Sequence, residues 1–469
     1  MNSTEPVRRI HLIGICGTAM ASLAGMLQAT GYEVAGSDQN IYPPMSTFLE
    51  KLGIRLFEGF SDNHLSQRLD LVVVGNAISR GNPEVEHMLN ARIRYASMAG
   101  VLKEFFIRDK RSLVVTGTHG KTTTTSLLSW LLETAGLDPS FFVGGIAENF
   151  GSSFKLGKGS LFVIEGDEYD TAFFDKGPKF LHYLPEQVVF NNCEFDHADI
   201  YTDLESVKTS FRRLINIIPS KGRLVACWDD PVVRELSSKA FCPVESFGLE
   251  SESRWSARSI EFLEATTRFE AVCDGVLFGT FETPLAGSFN VKNCLGAIAC
   301  ASGLGIDAST IGHGMRSFKN VKRRLEARGK ARGVTVFDDF AHHPTAIHET
   351  LSAVRARYPD SRLWAIFEPR SATSRRNVFQ KEFSGCFGKA DRVVLCGLFA
   401  PEKLDASIRL NVAKIVQDLR SQGTRADQWD SAAEIVRHVT PELEPGDKVV
   451  VMSNGGFDGI HQKLLDALK

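Results

Sequence analysis

The chain has 469 residues, with 54 Lys plus Arg against 56 Asp plus Glu and a formal net charge of −2. That is more chain than one hydrophobic core organises, so about two to four domains are expected, and the charge balance excludes a general nucleic-acid or membrane-surface binder, which needs a basic excess. Nine scattered cysteines with no C-x-x-C pair argue for reduced thiols and against a zinc site or a disulfide framework. The polar residues 1–9 run directly into a strand-like segment, so the expectation is a cytoplasmic protein with no signal peptide or membrane span.

Taken in order, residues 9–15 read as a buried strand, followed by Gly14-Ile15-Cys16-Gly17-Thr18-Ala19-Met20 and an amphipathic helix over 19–30. A second strand over 32–36 ends in Ser37 and Asp38. This is a βαβ start of dinucleotide-fold type, with an acidic residue where such folds meet a ribose. The glycine spacing is G-x-x-G, shorter than G-x-G-x-x-G, and a plain structural corner would also use it. Strand and helix continue through 71–75 and 85–90, and the charged Arg108-Asp109-Lys110-Arg111 reads as a connector.

Residues 113–116 read as a short buried strand, and Gly117-Thr118-His119-Gly120-Lys121-Thr122-Thr123 opens a helix with apolar residues at helical spacing. Small residues at such a turn let backbone N–H groups wrap an anion at the positive helix end; Lys121 adds a point charge, and the Thr122 hydroxyl suits Mg²⁺. The form is G-x-x-G-K-T, because Val115 stands where G-x-x-x-x-G-K-S/T has its first glycine. Two more apolar strands run into polar residues. One, 161–164, meets Glu165-Gly166-Asp167-Glu168-Tyr169-Asp170; the other, 188–190, meets Asn191-Asn192 and then His197 between Asp196 and Asp199. Carboxylates at the carboxyl end of a parallel strand stand beside the phosphate loop, where Glu165 can hold Mg²⁺; an acidic surface loop is the plainer alternative.

From 222 to 283 the pattern turns to short alternating runs and suggests an antiparallel addition, with Asp274-Gly275 as a hairpin turn. Helices are expected over 290–303 and 308–318. A third α/β unit is expected from Val334, with strands at 363–367, 392–396 and 448–452. The fold class is therefore α/β in three domains, over residues 1–108, 109–325 and 326–469.

Residues 14–20, 117–123, 165–170 and 191–201, the pair Asn290 and Asn293, Arg323-Arg324, and Asp338-Asp339-Phe340-Ala341-His342-His343-Pro344 together resemble the Mur ligases. These are ATP-dependent, amide-forming enzymes of peptidoglycan synthesis, and the resemblance spans essentially the whole chain. Within the family, residues 39–47, 190–200, 368–371 and 451–457 are similar to the recycling branch. That branch joins UDP-N-acetylmuramate to the tripeptide L-alanyl-γ-D-glutamyl-meso-diaminopimelate. The neighbouring branch, which adds free L-alanine, shares the Asp-Asp-x-x-His-His-Pro signature and is the alternative.

The resemblance implies a Rossmann-like UDP-binding domain, a P-loop-type central ATPase domain and a C-terminal Rossmann-like domain. It also implies that ATP phosphorylates the muramate carboxylate and that an amine attacks the acyl phosphate. Lys121, Glu165 and His197 are the catalytic residues implied, with Thr122, Glu165 and His197 toward Mg²⁺. ATP would be held by Gly117, Thr118, Gly120, Lys121, Thr122, Thr123, Asn290, Asn293, Arg324 and Asp339. Gly14, Gly17, Thr18 and Asp38 would hold the UDP-sugar; His342, Arg370, Ser371 and Asn454 would serve the substrates in the third domain, with amides of the 453–456 turn offered to a carboxylate. A monomer is expected. Three departures stand out: Phe211 falls near the place of a carbamoylated lysine, Phe289 stands where relatives often carry His, and Phe340 replaces a frequent Tyr.

Overall fold

The computed structural model describes residues 8–43, 45–66, 68–249 and 252–469; Met1 to Val7 and Pro44, part of the 39–47 stretch, lie outside the described residues. The chain packs as two compact units, the first built from residues 1–193, 207–247 and 296–311, the second from 194–206, 248–295 and 312–469.

The first unit holds two sheets. Strands β1 (Arg9–Ile13), β2 (Glu33–Asp38), β3 (Arg55–Glu58), β4 (Leu71–Val74) and β5 (Tyr95–Ser97) form a parallel sheet in the order β3-β2-β1-β4-β5. Leu71-Val72-Val73-Val74 is buried on both faces, as a central parallel strand must be. The chain reverses direction across the sheet at β1, and that switch point leaves a crevice at the strand's carboxyl end.

The second sheet of this unit contains β6 (Arg111–Thr116), β7 (Ser140–Ala147), β8 (Ser152–Lys155), β9 (Leu161–Gly166), β12 (Pro185–Phe190), β13 (Arg223–Cys227) and β14 (Val244–Phe247). A small hairpin of β10 (Asp170–Ala172) and β11 (Asp175–Pro178) stands apart from it. The order β14-β13-β12-β6-β9-β7-β8 places β6 between β12 and β9, all three parallel, with Val115 opposite Glu165 and Thr116 opposite Phe190. The expected antiparallel region from 222 is corrected in part: Arg223–Cys227, helix Pro231–Ser237 and Val244–Phe247 make a parallel βαβ crossover. Short runs such as Leu224-Val225-Ala226 carry no period that tells a parallel strand from an antiparallel one.

In the second unit, β15 (Trp255–Phe262), β16 (Thr267–Cys273) and β17 (Val276–Thr283) form the antiparallel meander. Asp274 (φ 49°) and Gly275 (φ 80°) supply the paired positive φ of a type I′ hairpin. The larger sheet is formed by β18 (Glu326–Ala331), β19 (Val334–Asp339), β20 (Leu363–Phe367), β21 (Arg392–Cys396), β22 (Arg425–Trp429) and β23 (Lys448–Met452), in the order β18-β19-β23-β20-β21-β22. It is parallel except for β18, an edge strand that the sequence pattern hides because Arg328 and Lys330 face solvent. The polar β22, Arg-Ala-Asp-Gln-Trp, escapes the pattern for the same reason. Buried side chains cover both faces of this sheet, around Ile347, Phe367, Phe383 and Phe387 on one side and Ile366, Val449, Ile460 and Leu464 on the other. Its β19, β23, β20 and β21 therefore end side by side.

Candidate functional site

The phosphate loop follows β6 directly. Gly117 adopts φ +133°, and a Cβ there would lie 2.9 Å from the Asn192 nitrogen, so no side chain fits. Gly120, at φ +81°, precedes helix Lys121–Thr134 without a side-chain cap, so the loop runs into the positive end of the helix. Asn192, at the end of neighbouring β12, secures the loop: its Oδ1 accepts the His119 N–H at 2.7 Å, its Nδ2 donates to the His119 carbonyl at 3.2 Å, and its own carbonyl accepts the Thr118 N–H at 3.1 Å. Thr123 is buried in the first helical turn, beside Thr124, whose hydroxyl accepts from Asn191 Nδ2 at 3.1 Å.

Lys121 turns back into this loop, donating to the Gly117 carbonyl at 2.6 Å and to Glu168 Oε2 at 2.8 Å. Glu168 is 2% exposed. Burial works against the ammonium, but Glu168, Asp167 and Glu165 outweigh it and hold the Lys121 pKa above its ordinary value. The Thr122 hydroxyl donates to Glu165 Oε1 at 3.0 Å, and the Gly144 N–H meets Glu165 Oε2 at 2.9 Å. The loop thus brings together Gly117, Thr118, Gly120, Lys121, Thr122, Thr123 and Glu165. Glu168 and Asn192 join it without having been singled out, because their partners lie across strands that the sequence does not align.

At the crevice of the first sheet, Gly14 (φ +82°) donates its N–H to the Ser37 carbonyl at 2.8 Å, and Asp38 Oδ2 accepts the Cys16 N–H at 2.9 Å. Gly17 caps helix Thr18–Ala29, with Thr18 as its first residue. Beneath lies an unforeseen buried network. The fully buried Glu84 accepts from Ser37 Oγ at 2.5 Å and meets His64 Nδ1 at 2.7 Å and His11 Nε2 at 3.3 Å. Burial raises the Glu84 pKa, but the hydrogen bonds from His11, Ser37 and His64 outweigh it and leave the carboxyl below the ordinary value.

His197 belongs to the second unit, where it adopts φ +54° and its carbonyl accepts from Ile200 and Tyr201. Neighbouring Asp196 is buried; burial pushes its carboxyl up, while His197, His342 and His343 more than reverse this and hold it well below the carboxylate range. His342 Nδ1 lies 3.0 Å from the Phe340 carbonyl. Asn290 and Asn293 are buried on helix Ser288–Ser302 and brace one another: Asn293 Nδ2 donates to Asn290 Oδ1 at 3.0 Å, and Asn290 Nδ2 to the Ala286 carbonyl at 2.8 Å. Phe211, in the first unit, is core, stacked on Phe190 at 4.6 Å.

At the end of β19, Asp339 accepts the Leu325 N–H at 2.7 Å and the Ala341 N–H at 2.8 Å. Burial raises its pKa against the lowering effect of Arg324. Arg323 takes a different course: its guanidinium donates to the Ser453 carbonyl at 2.5 Å and the Gly455 carbonyl at 2.7 Å, and meets Asp338 at 3.4 Å. Both arginines flank the Phe340 ring, at 5.3 and 5.1 Å. The expectation that the 453–456 turn offers its amides is corrected for two of them. Ser453 N–H donates to the Asp339 carbonyl and Gly455 N–H to Ser453 Oγ at 2.9 Å, so neither remains for a ligand. Asn454 Oδ1 is buried with no hydrogen-bond partner among the described residues. Ser371 Oγ is taken up by Ser374, at 2.8 Å. Arg370 stacks on Phe399, its guanidinium carbon 3.7 Å from the ring centroid, beside Glu368 at 3.5 Å.

The three parts of this arrangement match the Mur ligase family in order: the catalytic domain over residues 9–110, the middle domain over 115–301 and the glutamate ligase domain over 323–455. The chain is a Mur ligase. Members of this family are ATP-dependent ligases that form a C–N bond. Across 462 residues the chain is 42% identical to UDP-N-acetylmuramate–L-alanyl-γ-D-glutamyl-meso-2,6-diaminoheptandioate ligase of Escherichia coli (strain K12), covering 98% of both chains. It is 34% identical over 463 residues to UDP-N-acetylmuramate–L-alanine ligase of Alkaliphilus metalliredigens (strain QYMF), covering 98% of this chain and 97% of that one. Among solved structures, a murein peptide ligase from Psychrobacter arcticus 273-4 superposes with a TM-score of 0.73 at 36% identity, with 98% of each chain covered. No helix among the described residues is long and apolar enough to cross a membrane.

Proposed function

We propose that this Mur ligase joins the tripeptide L-alanyl-γ-D-glutamyl-meso-diaminopimelate to UDP-N-acetylmuramate, with ATP cleaved to ADP and phosphate, in the recycling of peptidoglycan. The observation that carries the reading is the 42% identity, extending over 98% of both chains, to an enzyme named for that reaction. The domains are assigned to residues 1–108 for the UDP-sugar, 109–325 for ATP and 326–469 for the peptide. A monomer in the cytoplasm fits the reading.

The chemistry follows from what the groups can do. Gly14, Gly17, Thr18 and Asp38 hold the UDP-sugar; the amides of residues 117–123 and the Lys121 ammonium hold the phosphates of ATP and neutralise charge that develops on the transferred phosphoryl group. Asn290, Asn293, Arg324 and Asp339 serve the adenosine side. The Thr122 hydroxyl and the Glu165 carboxylate, 3.0 Å apart, are hard oxygen donors of the class Mg²⁺ takes; His197, in the second unit, is the further ligand that only the family resemblance implies. Bound there, Mg²⁺ supplies charge neutralisation to the phosphates. Glu165 also suits deprotonation of the attacking amine. In the third domain Arg370 takes a peptide carboxylate, with His342, Ser371 and Asn454 around the acceptor.

A direct competition separates this reading from L-alanine addition. Purified protein is given UDP-N-acetylmuramate, ATP and Mg²⁺ with equimolar tripeptide and L-alanine, and the products are resolved by mass. The tripeptide product should dominate; preferential formation of the alanyl product would overturn the assignment.

A further inference from the structure

β20, β21 and β23 end side by side, and their loops build one small assembly around Arg370. Gly455 has an ordinary φ, so its backbone does not require glycine. Its lack of a side chain matters for another reason: a Cβ there would fall 2.1 Å from Arg370 Nε and 2.2 Å from Arg370 Cδ. The arginine stem lies on the glycine. Beyond it, the guanidinium carbon lies over the Phe399 ring, 3.7 Å from its centroid, and the Arg370 side chain makes no hydrogen bond among the described residues.

The supports are themselves fixed. Phe399 N–H donates to the Pro369 carbonyl at 3.3 Å, and Arg375 donates to the Phe399 and Ala400 carbonyls at 3.1 and 3.3 Å. Buried Glu368 is set by Ser453 Oγ at 2.6 Å. Arg323 holds the Ser453 and Gly455 carbonyls from the other side. Among the described residues the one carboxylate within ion-pair distance of Arg370 is Glu368, at 3.5 Å, too long for a bidentate pair. A fork with its stem seated, one face on an aromatic ring and no hydrogen-bonded carboxylate is prepared for a planar anion.

We propose that Gly455 and Phe399 are positioning residues that seat Arg370 as a clamp for a carboxylate of the incoming peptide. This rests on the tripeptide reading above. The test is a double-mutant cycle on the full-length enzyme with Gly455→Ala, Phe399→Leu and Arg370→Ala. Each single variant should raise the tripeptide KM about tenfold to a hundredfold, the loss expected for a charged hydrogen-bonded pair, with kcat and the KM for ATP little changed. Because Gly455 acts through the arginine, Gly455→Ala added to Arg370→Ala should raise the KM no further. Further loss in that background would overturn the positioning role, as would an unchanged KM in Gly455→Ala alone. A matched peptide with L-lysine in place of diaminopimelate locates the carboxylate: variants that lose only on the diaminopimelate peptide place it at that side chain's end, and variants that lose equally on both place it elsewhere in the peptide. A wild-type enzyme that ligates alanine and no peptide would defeat the parent reading, a result visible before any variant is made.

Discussion

The Thr122 hydroxyl donates to Glu165 Oε1 at 3.0 Å, joining the first turn of a helix to the carboxyl end of the next strand of the sheet. The contact exists because β6 and β9 are parallel neighbours in a register that sets Val115 against Glu165. It puts two oxygen donors at the head of the phosphate loop. Thr122→Val keeps the shape and removes the oxygen. Its expected effect is a fall in turnover of about tenfold to a hundredfold with a higher Mg²⁺ requirement. An unaltered Mg²⁺ activation curve would take Thr122 out of the metal site.

Lys121 and Glu168 form a buried pair, so removing one partner has two consequences. Lys121→Met should abolish ADP release while leaving UDP-sugar affinity intact, measured by calorimetry. It should also destabilise the first unit by about 3–5 kcal/mol, because Glu168 is left buried and uncompensated. Adding Glu168→Gln should restore the melting temperature without restoring turnover. Recovery of activity in the double variant would show that Lys121 serves the fold rather than the phosphates.

Asn192 touches the loop through two side-chain hydrogen bonds to His119. Asn192→Ala should free the loop at a cost of about 1–3 kcal/mol. The result expected is a raised KM for ATP with an unchanged KM for the UDP-sugar; equal changes in both would indicate general damage.

Glu84 gives the protein an acid-sensitive point. Its folded pKa is depressed, since the hydrogen bonds from His11, Ser37 and His64 exceed the effect of burial. Its stabilising contribution is therefore complete above the ordinary glutamate value and is lost as pH falls below that value through the folded pKa. Glu84→Gln should be less stable than wild type at neutral pH, with the gap narrowing on acidification. Denaturant midpoints that run parallel down to pH 3 would exclude this carboxyl as the source.

Much of the fold was legible because parallel strands buried on both faces announce themselves, as Leu71-Val72-Val73-Val74 and Val449-Val450-Val451 do, and because Asp274-Gly275 has one economical backbone geometry. The edges were not legible: Glu326–Ala331 and Arg425–Trp429 are strands by pairing rather than by composition. The phosphate loop with Lys121 and Thr122 was equally visible, since glycines at fixed offsets before a helix carry local meaning.

By itself the sequence determined the α/β class, the glycine-rich turn that opens a helix at Lys121 and the residue types at the strand ends, all of which depend on short-range periodicity and backbone freedom. Tertiary structure alone decided which strand ends meet. Strand order and register bring Glu168 to Lys121, Asn192 to His119 and Ser37 to Glu84. They also lay the Arg370 stem across Gly455 from a different strand, where the reason for a glycine is a neighbour's side chain and not its own φ.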